Sequence, residues 1–209
     1  MTDWLKKEWY SLTSIYTEDQ QLISKYWNEI VTQYTSKNRH YHNLTHIYKM
    51  LIQAEDVKAS IVDYDAFRFA IWYHDIIYKS TKKNNELKSA EFAQKRLKSI
   101  NFEEKRIKNV EILIKSTQKH DIVLDENNDN AFLLDIDLSI LGSHWNIYET
   151  YIKNIRREYA IYPDFMYHKA RKKIMSHFLE RNRIYFTDLY YNTLEAKARE
   201  NIKQEIRLV

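Results

Sequence analysis

Apolar and polar positions follow a helical period almost from end to end, and the breaks fall at capping residues. Thr17 and Gln20 read as a capping box that opens a helix to about Tyr34. Asn38 predicts the start of the next helix, which carries Arg39 to Leu51. Asp63 predicts the cap of a helix running through Tyr78. In DYDAFRFAIWYHDIIY the apolar residues lie on nearly all sides, which places this helix at the centre. A lysine-rich break, KSTKKNN, precedes helices near 84–99 and 103–119, the second opened by Asn101 and Glu104. DIVLDENNDN (121–130) predicts a long loop, and AFLLDIDLSIL then ends at Gly142, read as a helix C-cap. Helices near 144–160, 164–181 and 187–207 complete the chain, with Pro163 at the first break and Thr187 as the last cap. The expected fold is all-α, about eight or nine helices in one compact domain over 1–209, with a core about 39–142 and C-terminal helices about 144–208.

Composition sharpens this picture. The 209 residues include one Gly and one Pro, where average usage gives roughly 25 of the two together. Tight hairpins consume glycine, so a sandwich, barrel or doubly wound sheet is disfavoured. A lone Gly142 also cannot build a P-loop or a dinucleotide fingerprint, so any phosphate chemistry needs another device, such as a metal. Cysteine is absent, which excludes disulfides, thiolate zinc sites and cysteine nucleophiles. MTDWLKKEWY has no apolar core of signal-peptide length, and no stretch approaches the roughly 18 apolar residues of a membrane span. These absences predict a cytoplasmic protein with no membrane partner. The net charge of +4 comes from 33 basic residues interleaved with 29 acidic ones, and no nucleic-acid motif is present. The mild positive charge fits an anionic small molecule or a nucleic acid equally well, the interleaving and the missing motif disfavour nucleic acid, and long amphipathic helices permit a homodimer without requiring one.

Three of the eight histidines fall within RHYHNLTH (39–46), and His42 and His46 are four apart, the spacing of one helix face. His74 and Asp75 are adjacent in the most hydrophobic helix, and Asp135 and Asp137 lie in LLDIDLSIL. An imidazole or carboxylate placed where periodicity predicts burial must be paired or bound to a metal. A His, His, Asp, Asp set supplies four ligands without thiolate and suits manganese, magnesium, zinc, iron, cobalt or nickel.

At these residues the chain resembles the HD-domain superfamily of metal-dependent phosphohydrolases, an all-helical family whose ligands follow the order His, His–Asp, Asp. That order reads here as His46, His74–Asp75 and Asp137, with Asp135 the alternative last ligand. YHNLTH further resembles the YHNxxH segment of cyclic-nucleotide phosphodiesterases, in which the first histidine donates a proton to the leaving group and the second binds metal. By that resemblance His42 is the acid and His46 a ligand. RHYHNLTHI, AIWYHDIIY, NNELKSA, LLDIDLSILG, IRREY and EAKAREN, across roughly 39–201, are similar to a bacterial group of predicted metal-dependent HD phosphohydrolases. Landmarks of cyclic-nucleotide recognition and the extra histidines of the HD-GYP subgroup are not evident.

The resemblance implies hydrolysis of a phosphate ester, of a nucleotide or another small phosphorylated metabolite, by water activated on one or two divalent ions. The alternative is a metal- or nucleotide-binding sensor without turnover. Glu86 is a candidate to orient the water, or else a helix N-terminal acid favoured by the dipole. His120 is a candidate for phosphate, or else a helix-end residue, and Arg39 is either a bidentate phosphate fork or an internal ion-pair partner.

Overall fold

Burial of apolar helix faces organises the chain. The computed structural model describes residues 1–124 and 128–208, and among them it holds ten α-helices, two 3₁₀ turns and no strand. The all-α expectation is met. The helices are α1 (Thr2–Thr13), α2 (Gln20–Tyr34), α3 (Leu44–Asp56), α4 (Tyr64–Tyr73), α5 (Asn85–Ser99), α6 (Glu104–Ser116), α7 (Asp129–Leu138), α8 (Trp145–Glu158), α9 (Asp164–Glu180) and α10 (Asp188–Leu208). Part of the expected 121–130 loop, residues 125–127, lies outside the described residues. Among the described residues no helix is long and apolar enough to cross a membrane. By its contacts the chain divides into two compact units, Met1–Leu133 and Leu134–Val209.

In the first unit α4 is central, as its all-round apolar surface requires. Phe67, Phe69, Ala70, Ile71, Trp72 and Tyr73 are buried. Trp9 of α1 meets Trp72 edge-on with ring centroids 5.6 Å apart, and Trp27 of α2 meets it at 6.3 Å. Truncating one such ring to alanine costs about 3–5 kcal/mol. Asp63 caps α4 through the Ala66 N–H, as expected, and also receives Arg106. The carboxylate of Asp129 in turn accepts the Val62 and Asp63 N–H groups.

Several boundaries differ from expectation. The cap of α2 is Asp19, which accepts the Leu22 N–H, while the Thr17 hydroxyl accepts only the Asp19 N–H. The cap of α3 is Asn43, not Asn38. Asn101 does not open α6 but closes α5. Its φ of 59° lets the Phe102 N–H reach the Leu97 carbonyl and its own N–H reach Lys98, a Schellman ending built on asparagine.

In the second unit Gly142 ends the 3₁₀ turn Ser139–Gly142 rather than an α-helix, and it has no positive φ. Its constraint is space: an added Cβ would stand 2.6 Å from the Leu194 Cβ of α10. Thr187 faces the Tyr190 N–H at 3.4 Å at the start of α10, and Pro163 precedes α9. Glu195 accepts the Ile184 and Tyr185 N–H groups and pairs with Arg199, which donates to the Leu179, Arg181 and Asn182 carbonyls. These bonds tie down the backbone between α9 and α10.

Candidate metal centre

The Asn43 side chain shapes the first half of the site. Its Oδ1 accepts the Thr45 N–H and its Nδ2 donates to the His40 carbonyl, so the helix starts at Leu44. His46 therefore lies in the first turn of α3, whereas His42 precedes the helix. The two rings are still neighbours, centroids 6.0 Å apart, with Tyr41 5.0 Å from each.

The second half comes from an early end to α4. The helix stops at Tyr73 rather than running through Tyr78, because outside partners take its next carbonyls. Arg39 donates from Nη1 to the Asp75 carbonyl at 2.6 Å and from Nη2 to the Ile76 carbonyl at 2.9 Å. Ser89 of α5 donates to the Ile77 carbonyl and accepts the Ile77 N–H. The Asn85 amide brackets the Lys79 N–H and carbonyl. The His–Asp pair thus occupies a turn pinned from two sides.

His46, His74 and Asp75 converge there, all three buried, with one ligand atom from each lying within 4.8 Å of the others. His74 Nε2 is 3.2 Å from His46 Nε2 and 3.1 Å from Asp75 Oδ2. His74 Nδ1 is 2.9 Å from the Ile71 carbonyl, which can only accept, so Nδ1 carries a proton. In the neutral ring Nε2 is then an acceptor, 3.2 Å from His46 Nε2 and 3.1 Å from a carboxylate oxygen. Two acceptors at that distance repel unless a cation or a proton lies between them. With metal–nitrogen bonds of about 2.0–2.1 Å, donors sharing one small divalent ion stand roughly 3.0–3.4 Å apart. The observed separations match that spacing, and the backbone partner on Nδ1 is the support that ligating histidines ordinarily have. This buried group could hold a metal ion.

The other expected residues distribute as follows. His42 Nε2 is 3.9 Å from Asp75 Oδ2, and its side chain retains access to solvent. Glu86, in the first turn of α5, lies within electrostatic reach of His74, Asp75 and His120. Burial pushes its carboxyl up from the ordinary value and Asp75 adds to the rise, while the Glu86 backbone and the two histidines pull it back. His120 follows α6 with a φ of 52°, its N–H on the Ser116 carbonyl.

Arg39 is not a free phosphate fork. Its Nη1 and Nη2 are spent on the carbonyls of His42, Asp75 and Ile76, and its guanidinium lies over the rings of Tyr34 and Tyr78. Asp135, the alternative last ligand, is also committed elsewhere. One oxygen accepts the Phe186 N–H, the other the Thr187 N–H and hydroxyl, each at 2.7 Å. Burial nevertheless pushes its carboxyl up to about 6. Asp137 belongs to the second unit, where its charge contributes to raising the Tyr151 phenol above its ordinary value, mainly an effect of burial.

Sequence reasoning passed over Asn85, Ser89, Tyr34 and Tyr78 as parts of the site. The available signal was Asn85 and Ser89 four apart, both polar and both buried. An open polar groove of about 900 Å³ runs along α2 and α5 past Ser24, Asn28, Phe92 and Arg96, and none of the expected site residues lines it. In comparison with known proteins the chain matches no family model, no curated protein and no solved structure.

Proposed function

We propose that the chain is a metal-dependent phosphohydrolase of HD type that cleaves a phosphate ester of a nucleotide or another small phosphorylated metabolite. The observation that carries this reading is the convergence of three buried ligand atoms from His46, His74 and Asp75, with His74 Nε2 3.2 Å from His46 Nε2 and 3.1 Å from Asp75 Oδ2. His46, His74 and Asp75 would hold the ion. A bound divalent ion lowers the pKa of water and withdraws charge from a phosphoryl oxygen. Asp137 enters as a further ligand only through the family resemblance, and its substitution tests that role.

The chain's own groups supply the rest. His42 reaches solvent to reload a proton and faces Asp75, so an imidazolium there has a carboxylate opposite it. It serves as the donor to the departing alkoxide. Glu86 is shifted toward the range in which a carboxylate is an effective base, and it orients the attacking water. Exposed Lys79, Lys82 and Lys83, on the loop that follows the His–Asp turn, attract an anionic substrate. A second reading, ligand sensing without turnover, is favoured by one observation: the arginine nearest the site is spent on carbonyls instead of presenting a phosphate fork.

The test is metal content of wild type and of the His74→Ala/Asp75→Ala double variant, alongside a phosphate-ester panel with manganese, magnesium, cobalt and nickel. Near-stoichiometric metal lost in the variant, with metal-dependent phosphate release, supports the hydrolase. Metal without turnover supports the sensor. No metal and no release under any cation overturns both.

A further inference from the structure

Two segments far apart in sequence meet on one buried guanidinium. Arg39 donates from Nη1 to the carbonyls of His42 (3.0 Å) and Asp75 (2.6 Å), and from Nη2 to Ile76 (2.9 Å). Its plane lies over Tyr34, 4.7 Å from the ring centroid, and over Tyr78 at 5.4 Å. The Tyr78 ring in turn carries the His42 ring, centroids 4.4 Å apart with planes tilted by 32°. The Tyr34 hydroxyl closes the base of the stack by donating to the Trp72 carbonyl. The ladder therefore runs from the core through Tyr34, Arg39 and Tyr78 to His42, and its second rung also fixes the backbone of Asp75.

We infer that Arg39 and Tyr78 are positioning residues that set the proton donor His42 and the metal-binding carboxylate of Asp75 in register, the catalytic half of this assignment resting on the function proposed above. Among the described residues this buried cation is held by carbonyls and ring faces and not by the carboxylate that would ordinarily offset its desolvation. The return is geometric, since a planar fork with several donors fixes three carbonyls at once. A lysine, with a single nitrogen and no plane to stack, cannot reproduce that. Tyr78 carries the His42 ring directly and also lies against the Arg39 guanidinium. The two residues thus differ in what they control. Arg39 fixes the backbone of both the donor and the ion site, and Tyr78 supports the donor's ring.

The experiment compares wild type with Arg39→Lys, Arg39→Met, Tyr78→Leu and Tyr78→Phe. The readouts are cobalt(II) affinity and absorption spectrum, the NMR shifts of the His42 ring, and kcat and KM on the best ester. Both Arg39 variants should bind cobalt at least tenfold more weakly, with an altered spectrum and displaced His42 resonances. Tyr78→Leu should weaken cobalt binding less than either Arg39 variant, displace the His42 resonances and lower kcat at least tenfold with KM little changed; Tyr78→Phe, which keeps the ring, should restore the resonances and kcat. Wild-type cobalt binding and His42 resonances in Arg39→Met would overturn the assignment, as would a Tyr78→Leu variant whose His42 ring does not move. If wild type hydrolyses no ester, the hydrolase reading fails, yet the cobalt and NMR arms still decide the positioning role. If wild type binds no cobalt, the His42 resonances decide it alone.

Discussion

Arg106 grips Asp63 with two hydrogen bonds, 2.8 Å from Nε and 2.6 Å from Nη2, across 43 residues of sequence. Asp63 is at the same time the N-cap of α4. Burial raises its carboxyl, but Arg106 and the Ala66 N–H outweigh burial and hold it below the ordinary value. A carboxylate with a depressed folded-state pKa stabilises fully above its unfolded value of about 3.9, and the contribution is lost as pH falls through the folded one. Replacing Asp63 by Asn should cost about 1–2 kcal/mol at pH 7 through cap and ion pair together. Urea melts at pH 7 and near pH 3 check this: the gap between wild type and variant should shrink at the acid end.

His120 adopts a φ of 52° where glycine would be unstrained. His120→Gly should raise stability by about 0.5–1 kcal/mol, the left-handed strain outweighing the added freedom of the unfolded chain. The same change should move the pH profile of phosphate release upward, because Glu86 loses a neighbour that holds its carboxyl down. A variant both more stable and unmoved in its pH profile would remove His120 from the site.

Gly142 faces Leu194 too closely for a methyl group. Gly142→Ala should destabilise by about 1–3 kcal/mol, the range of overpacking. Leu194→Ala keeps the clashing Cβ and should rescue little of that loss, whereas Leu194→Gly removes it and should rescue more, which double-mutant cycles in denaturant measure.

Asp135 and Asp137 should separate by phenotype. Asp135→Ala leaves two backbone N–H groups and a hydroxyl without their acceptor and should cost about 2–4 kcal/mol. Asp137→Asn should weaken metal binding where Asp137 is a ligand, which metal titration of the folded variant measures. Equal metal affinity in Asp137→Asn and wild type would confine the ligand set to the triad.

Saturating manganese should raise the wild-type melting temperature, since free ion at 100 times Kd is worth about 2.7 kcal/mol. EDTA should reverse the shift. His74→Ala should show no shift, and His42→Ala should keep it while losing most of kcat.

The legible parts of the fold were those decided by local pattern. Phe67 to Tyr73 are apolar on every side of their helix and lie at the centre of the first unit, and Asp63 caps that helix as its position predicts. The YHNLTH and His–Asp segments place His46, His74 and Asp75 together. What stayed hidden depends on distant partners. The stretch to Tyr78 reads as helix, but Arg39, more than 30 residues upstream, captures the carbonyls of Asp75 and Ile76. Asn101 has the chemistry of an N-cap and of a left-handed C-terminal residue, and composition cannot choose between them. The helix α1 was legible and passed over: Leu5, Trp9 and Leu12 mark its buried face at helical spacing.

The contacts of Trp72 with Trp9 and Trp27 have a spectroscopic consequence. Indoles this close and nearly perpendicular couple their transitions, so the first unit should carry an exciton couplet in circular dichroism. Trp145 is the one tryptophan of the second unit, so that unit contributes a single indole to the emission. Trp72 also lies two residues before His74 of the proposed ion site. The couplet therefore offers a label-free optical channel for ion uptake, and Trp72→Phe should silence it.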